Sequence, residues 1–588
     1  MNDAALFGPR LDRDGVTFRL WAPAARQVEL VTDRAQNMPR RTDGWYELAV
    51  PGAAAGTLYR FRIDGDLDVP DPASAFQPRD VPGPSEVVAQ TFEWKTADWH
   101  GRPWHEAVIL ELHVGTFTPE GTFRAIIDKL DHLVDCGITA FELMPIADFP
   151  GSRNWGYDGV LPFAPDSRYG RPEDLKALID AAHARGLMVL LDAVYNHFGP
   201  EGNYLGRYAP KFFTDAHTPW GSAIDYRVPQ VRAFAIENAL HWLRHYRFDG
   251  LRLDAVHAIV AAGEPSVLVD LSRAVGKLAA VTGRMIHLVL ENDANAARLL
   301  DPLTDPPAGR YRAQWNDDYH HAWHVLMTGE RAGYYRDYAG APHAHLARTL
   351  ASGFAYQGEP SRHRGGAPRG EPSYDLPPAA FVDFVQNHDQ IGNRPLGDRL
   401  AARVPEAAVA AALAVTLLAP MPPLLFMGEE WGATEPFPFF CDFSGDLAEA
   451  VRRGRRSEFA EAYAALGSAW PDPLAEATFR SAVLDWSARD REPHHRRLDL
   501  VRRLLTLRRS EIVPRLAAMR GGTGRAEANG GIVTSEWRLG DGSRLVLLAN
   551  LAPEPAARRH ALAGRPIWGG APGAELGPWA VHWAIGDA

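Results

Sequence analysis

From about residue 105 onward, short and continuously apolar runs alternate with longer stretches whose apolar positions recur every three or four residues. The runs fall at 107–117, 138–146, 186–197, 248–256, 286–293, 311–318, 381–389 and 422–430. Strands without polar alternation are what a parallel sheet covered on both faces requires. The intervening stretches read as helices. Residues 172–186, for example, open on proline and close on glycine, which marks a helix start and stop. Eight such runs within 96–489 predict an α/β fold, a (β/α)8 TIM barrel with insertions. The sixth run is short and polar, and 356–378 reads as an irregular insertion ahead of the seventh strand.

The ends of the chain are patterned differently. Within 1–95 the runs GVTFRLWAP, QVELVTD, GWYELAV and TLYRFRIDG are rich in aromatic and β-branched residues and are separated by Gly, Pro and Asp. They predict an N-terminal β-sandwich of immunoglobulin-like type. Within 490–588 an amphipathic helix precedes further strand-like runs, which predict a C-terminal β domain. The stretch 407–427 is long enough to cross a bilayer. Pro420, Pro422 and Pro423 interrupt it, and it runs into Glu429 and Glu430, so a buried helix, a turn and a buried strand are expected instead.

Composition narrows the function. The chain has 588 residues, 46% apolar and 23% charged, ordinary for a globular protein of several domains. A net charge of −11 argues against a nucleic-acid partner; of the basic runs at 452–456 and 502–509, the second has helical spacing and reads as a solvated helix face. Two distant cysteines give neither a disulfide framework nor zinc spacing. With no signal-peptide pattern at the N-terminus, a cytoplasmic protein without membrane association is expected. The 17 tryptophans suit sugar stacking, and they suit a large core equally.

Five of the predicted strands end in polar groups: Asp192 with Asn196 and His197, Arg252 with Asp254, Glu291, His388 with Asp389, and Glu429. In a barrel these ends converge on one face. Any one of them could cap a helix or close a buried ion pair, but burying five such groups without function is costly. Asp254 and Glu291 end adjacent strands, which are spaced about 4.8 Å apart. Carboxyl groups about 5–5.5 Å apart leave no room for a water beneath a sugar, so one of them attacks directly and the configuration is retained. Arg252 lies two residues before Asp254 on the same strand face, and a guanidinium there favours the ionised carboxylate. Asp254 is thus expected as nucleophile and Glu291 as acid/base.

DAVYNH (192–197), GLRLDAVH (250–257), LVLEND (288–293) and FVQNHD (384–389) resemble the four signature regions of the α-amylase superfamily, glycoside hydrolase family 13, in the expected order. The resemblance implies a third carboxylate, Asp389, that holds sugar hydroxyls, with His197 and His388 hydrogen-bonding the same sugar. It implies that Arg252 positions the nucleophile, that Tyr157 of NWGYD stacks beneath the ring and that Asp192 has a structural role. Within the superfamily, RNWGYDGVLPFAP, QWNDDYHHAWHVLMTGE and FMGEEWGATEPFPFF resemble the malto-oligosyltrehalose trehalohydrolases, and several of these features also resemble glycogen branching enzymes. The first resemblance implies maltooligosyl trehalose as substrate and functional coupling to a synthase that makes it. The second leaves glucan transfer as an alternative, and a non-catalytic glucan-binding homologue is a third. His257, Asp317, Asp318, Gln390 and Asn393, in loops after the strands, are candidates for recognising the second glucose of trehalose. The segment after the third strand has few carboxylates, whereas calcium takes six to eight oxygens. No cofactor and no metal are expected, and activity should survive dialysis against EDTA.

Overall fold

The computed structural model describes residues 6–259, 266–304, 308–460 and 470–587. Eight parallel strands close into a barrel: β1 (Ile109–Leu112), β2 (Ala140–Leu143), β3 (Met188–Ala193), β4 (Gly250–Leu253), β5 (His287–Leu290), β6 (Ala313–Trp315), β7 (Phe381–Phe384) and β8 (Pro423–Phe426). Each strand pairs with the next in sequence, and β8 closes on β1. Every strand lies inside the apolar run that predicted it, the polar sixth included. All its residues are buried on both faces, as in a sheet wrapped by helices. Gly250 on β4 lets two backbones approach, since a Cβ there would sit 2.2 Å from the His287 carbonyl oxygen.

Between β2 and β3 the helix Pro172–His183 forms as expected, with Asp174 closing a capping box on the Arg171 backbone. The apolar stretch 407–427 resolves into the buried helix Glu406–Leu418 and strand β8. No helix of the described residues is long and apolar enough to cross a membrane. The segment 356–378 is irregular apart from an isolated bridge between Pro360 and Pro368.

At the N-terminal end two antiparallel sheets face each other. One holds Arg10–Asp12, Gly15–Trp21 and Trp45–Pro51; the other holds Val28–Val31, Ala35–Asn37, Leu58–Ile63, Leu67–Val69 and Ser85–Glu86. Phe18 and Tyr59 pack between them with ring centroids 4.8 Å apart. At the C-terminal end a five-stranded antiparallel sheet follows the helix His494–Leu507.

One expectation fails here. Arg508, in the basic run read as a solvated face, is fully buried and donates to the carbonyls of Leu417, Ala419 and Met421. The helix widens into a π-turn at Arg508–Ile512, and this guanidinium points inward under the end of the Glu406–Leu418 helix. Those carbonyls have no helical partner, and the arginine supplies one.

Candidate active site

Leu253 at the end of β4 pairs with Leu290 at the end of β5, and the next residues are Asp254 and Glu291. Their N–H groups continue the ladder, donating to the Ala193 and Leu253 carbonyls at 3.1 and 3.0 Å. Ala255 then turns at φ 38°, a left-handed conformation that costs a non-glycine residue about 1–3 kcal/mol. The turn aims the Ala255 N–H at Glu291 Oε2, 2.8 Å away.

Arg252 organises the floor of the site. Its Nη1 donates to Asp192 Oδ2 at 2.6 Å and to Asp254 Oδ1 at 2.9 Å, and its Nη2 donates to Glu291 Oε2 at 2.8 Å. The guanidinium is fully buried and lies 4.1 Å over the Trp315 ring. A planar fork with five donors suits this task, and an ammonium would not. The expectation that Arg252 singles out Asp254 is therefore corrected. Because β4 and β5 are adjacent and in register, one guanidinium grips both carboxylates. Burial raises both, and Arg252 opposes it at both. For Asp254 the balance, with Asp192 and Asp389 nearby, is about 6; for Glu291, facing Asp254 and Asp389, it is about 7.

Asp389 completes the carboxylate cluster. Burial works against its charge, but His388, at 3.4 Å, holds its carboxyl below the ordinary range. His388 lies parallel to Tyr157, with ring centroids 5.2 Å apart, and its Nε2 is 2.9 Å from the Tyr157 hydroxyl. That hydroxyl donates to Asp192 Oδ2 at 2.6 Å. Asp192 thus joins Tyr157 to Arg252. Asp317 lies toward the cluster, where burial and then the charges of Glu291 and Asp293 push its carboxyl well above the usual value.

Other expected contacts are not brought together. Asp318 is fully buried and turned away from the cleft. It accepts from Asn295, Tyr338, Arg369 and the N–H groups of Ala355 and Tyr356, and so fixes the 355–369 segment. Helical geometry explains this, because neighbours on the Asp317–Thr328 helix cannot face the same way. Gln390 spends its side-chain oxygen on the Asn387 N–H in a capping box. Both His197 nitrogens are engaged by protein, Nδ1 with Asn196 at 3.0 Å and Nε2 with the Tyr157 carbonyl at 2.9 Å. Glu429 accepts from the Phe426 N–H and lies near Arg399 and Arg497, outside the carboxylate cluster. His257 is exposed, and its Nδ1 accepts from the Asp293 N–H at 3.3 Å. Asn393 is exposed, donating to Asp389 at 3.2 Å and accepting from Arg455.

Several groups at the site escaped sequence reasoning. Glu111 on β1 pairs with His388. Glu142 on β2 is buried with no protein partner for either oxygen among the described residues, and burial holds it well above the usual carboxylate range. Trp220 is 45% exposed and stacks on His197 with ring centroids 5.1 Å apart. Glu111 sits in a run of apolar residues, ILEL, and a charge inside a buried strand was the available signal. Among the described residues no cluster of three or more His, Cys, Asp or Glu has metal-holding geometry.

The chain is similar to known proteins along most of its length. Models of the alpha amylase catalytic domain match residues 87–211, and of carbohydrate-binding module 48 (isoamylase N-terminal domain) residues 6–74. A domain of unknown function, DUF3459, matches 519–583. The malto-oligosyltrehalose trehalohydrolase of Deinococcus radiodurans is 45% identical over 85% of this chain and 82% of its own length. A branching enzyme of Mycobacterium tuberculosis is 36% identical over only 42% of this chain and 37% of its own. A crystal structure of a Salmonella typhimurium protein assigned as an alpha amylase superposes with a TM-score of 0.95 at 44% identity, covering 99% of this chain and 100% of that one. The chain belongs to the malto-oligosyltrehalose trehalohydrolase family of the α-amylase superfamily.

Proposed function

We propose that the protein hydrolyses the α-1,4-glucosidic bond next to the terminal trehalose unit of maltooligosyl trehalose with retention, releasing free trehalose. The observation that carries this reading is the single Arg252 guanidinium joining Asp192, Asp254 and Glu291 at the C-terminal end of the barrel, with Asp389 beside them. Asp254, the carboxylate that the family resemblance implies as nucleophile, attacks the anomeric carbon in its ionised form. Glu291, held up to about 7, keeps its proton, delivers it to the departing trehalose oxygen and then deprotonates the incoming water. Asp389, kept ionised by His388, accepts sugar hydroxyls. Asp317, near the carboxylates, and Asn393, which donates to Asp389, are the groups placed to meet the substrate beside them.

The reading includes functional coupling to a synthase that makes maltooligosyl trehalose, which the family resemblance implies. A cytoplasmic location accords with both cysteines being free and buried. Chromatography of products from maltooligosyl trehalose and from amylose tests the reaction. Trehalose from the first with little attack on the second is expected; new α-1,6 linkages without trehalose would overturn it. NMR of the newly formed reducing end should show the α-anomer first.

The pH profile follows from the carboxylate pair. Activity needs Asp254 ionised and Glu291 protonated, so kcat/KM should peak between about 6 and 7 and fall on both sides. The two limbs belong to the coupled pair and not to either residue alone. A profile flat from about pH 5 to 9 would contradict the assignment.

A further inference from the structure

His388 is gripped at two points by one residue. Glu111, fully buried at the end of β1, accepts from the His388 backbone N–H through Oε2 at 3.0 Å and from the imidazole Nδ1–H through Oε1. On the other side of the ring, His388 Nε2 lies 2.9 Å from the Tyr157 oxygen. The Tyr157 proton is committed to Asp192 Oδ2, so Tyr157 can only accept from Nε2–H. Both imidazole nitrogens therefore carry protons. Asp192 Oδ2 in turn accepts from Arg252, which holds Asp254 and Glu291. A single polarised chain thus runs Glu111, His388, Tyr157, Asp192, Arg252 and ends at the two carboxylates.

We infer that Glu111 is a positioning residue that fixes the direction of this chain, holding His388 as a donor toward Tyr157 and Asp389. The inference rests on the glycosidase reading of the site and adds to it a residue that touches no substrate. Without the Glu111 charge, a neutral His388 can leave Nε2 as an acceptor. Tyr157 then turns its proton to His388, Asp192 loses a donor, and Asp389 loses the cation that keeps it ionised. The wild-type balance is consistent: burial opposes the charge of His388, but Glu111 and then Asp389 raise it well above the usual histidine range.

The other titratable groups around the ring do not supply this control. His113, just after β1, is lowered to about 4 by burial and is neutral in the working range. Glu142 of β2, with neither oxygen partnered among the described residues, is held well above the usual carboxylate range by burial. Asp192 of β3 and Arg252 of β4 act on His388 through the chain itself. Glu111 and Asp389 are left as the anions on the ring.

The test uses full-length wild type, Glu111→Gln and Glu111→Asp, with trehalose release followed from about pH 5 to 9. In Glu111→Gln, the charge of His388 loses its main support against burial, so the ring should give up a proton at lower pH than in wild type. Its kcat/KM relative to wild type should be at least about tenfold lower at pH 8 than at pH 5.5. Glu111→Asp keeps the charge and should keep the wild-type profile shape at lower kcat. Loss by the same factor at every pH, or unchanged profiles, would overturn the inference. Nitrogen-15 NMR of His388 gives a second readout independent of turnover. The ring should be doubly protonated at neutral pH in wild type and lose a proton at lower pH in Glu111→Gln. A neutral His388 in wild type at pH 7 sinks the relay even if Glu111→Gln fails to fold. Wild type that releases no trehalose would refute the proposed reaction, while the NMR result still decides the relay.

Discussion

Asp254→Asn should lower kcat by about 10⁴-fold or more while the folded state persists. Loss of a covalent nucleophile has effects of this order, because the residual rate comes only from binding and orientation. Stability should move the other way at alkaline pH. Burial raises the Asp254 carboxyl from 3.8 to about 6, so its contribution is present below its unfolded value and is lost as pH rises through about 6. Each unit is worth about 1.4 kcal/mol. Removing the charge cancels that loss, although the amide bonds Arg252 more weakly. Thermal melts at pH 8 should show a Tm no lower than wild type, and at pH 4 the advantage should vanish. Unchanged kcat would overturn the nucleophile assignment, and a Tm advantage confined to acid pH would overturn the electrostatic account.

Arg252→Met should destabilise the protein by about 3–5 kcal/mol at neutral pH, since removing one partner of a buried ion pair leaves the others uncompensated. Here three carboxylates, Asp192, Asp254 and Glu291, would face one another with no cation among them. The sign with pH is fixed. Arg252 lowers all three values, so its loss raises them further, and the deficit should shrink toward about pH 4, where the carboxyls take up protons. The acid limb of activity should also move up, making the loss of kcat/KM steeper at pH 6 than at pH 8. Urea denaturation at two pH values checks this. A deficit that is equal or larger in acid would mean that lost packing against Trp315, and not charge, dominates.

The barrel was legible because a buried parallel strand leaves a plain mark, a run with no polar alternation. Even 311–318, polar and short, contains β6. The carboxylate cluster was legible too, since Asp254, Glu291 and Asp389 stand just past strand ends whatever the loops do. What failed was direction. Asp317 and Asp318 were both expected to recognise the second glucose, but side chains on one helix radiate. Asp317 lies toward the carboxylates, while Asp318 faces inward. Sequence spacing also paired Arg252 with its own strand neighbour and gave no sign that its other nitrogen reaches the next strand. Glu111 was missed for the opposite reason: it lies inside an apolar run, and its partner His388 is 277 residues away.

The buried Arg508 has a consequence for how the molecule comes apart. Its guanidinium closes the open carbonyls at the end of the Glu406–Leu418 helix, and Trp583 and Trp537 of the C-terminal sheet donate their indole N–H groups to Ala414 and Leu350 of barrel helices. Losing the segment that carries Arg508 would leave the buried Leu417, Ala419 and Met421 carbonyls without this partner, each worth about 1–3 kcal/mol. The outer wall of the barrel is therefore finished only when the last part of the chain is in place. Melting of the two should be cooperative, with a single heat-absorption peak, and a chain truncated before 508 should lose the barrel along with the sheet.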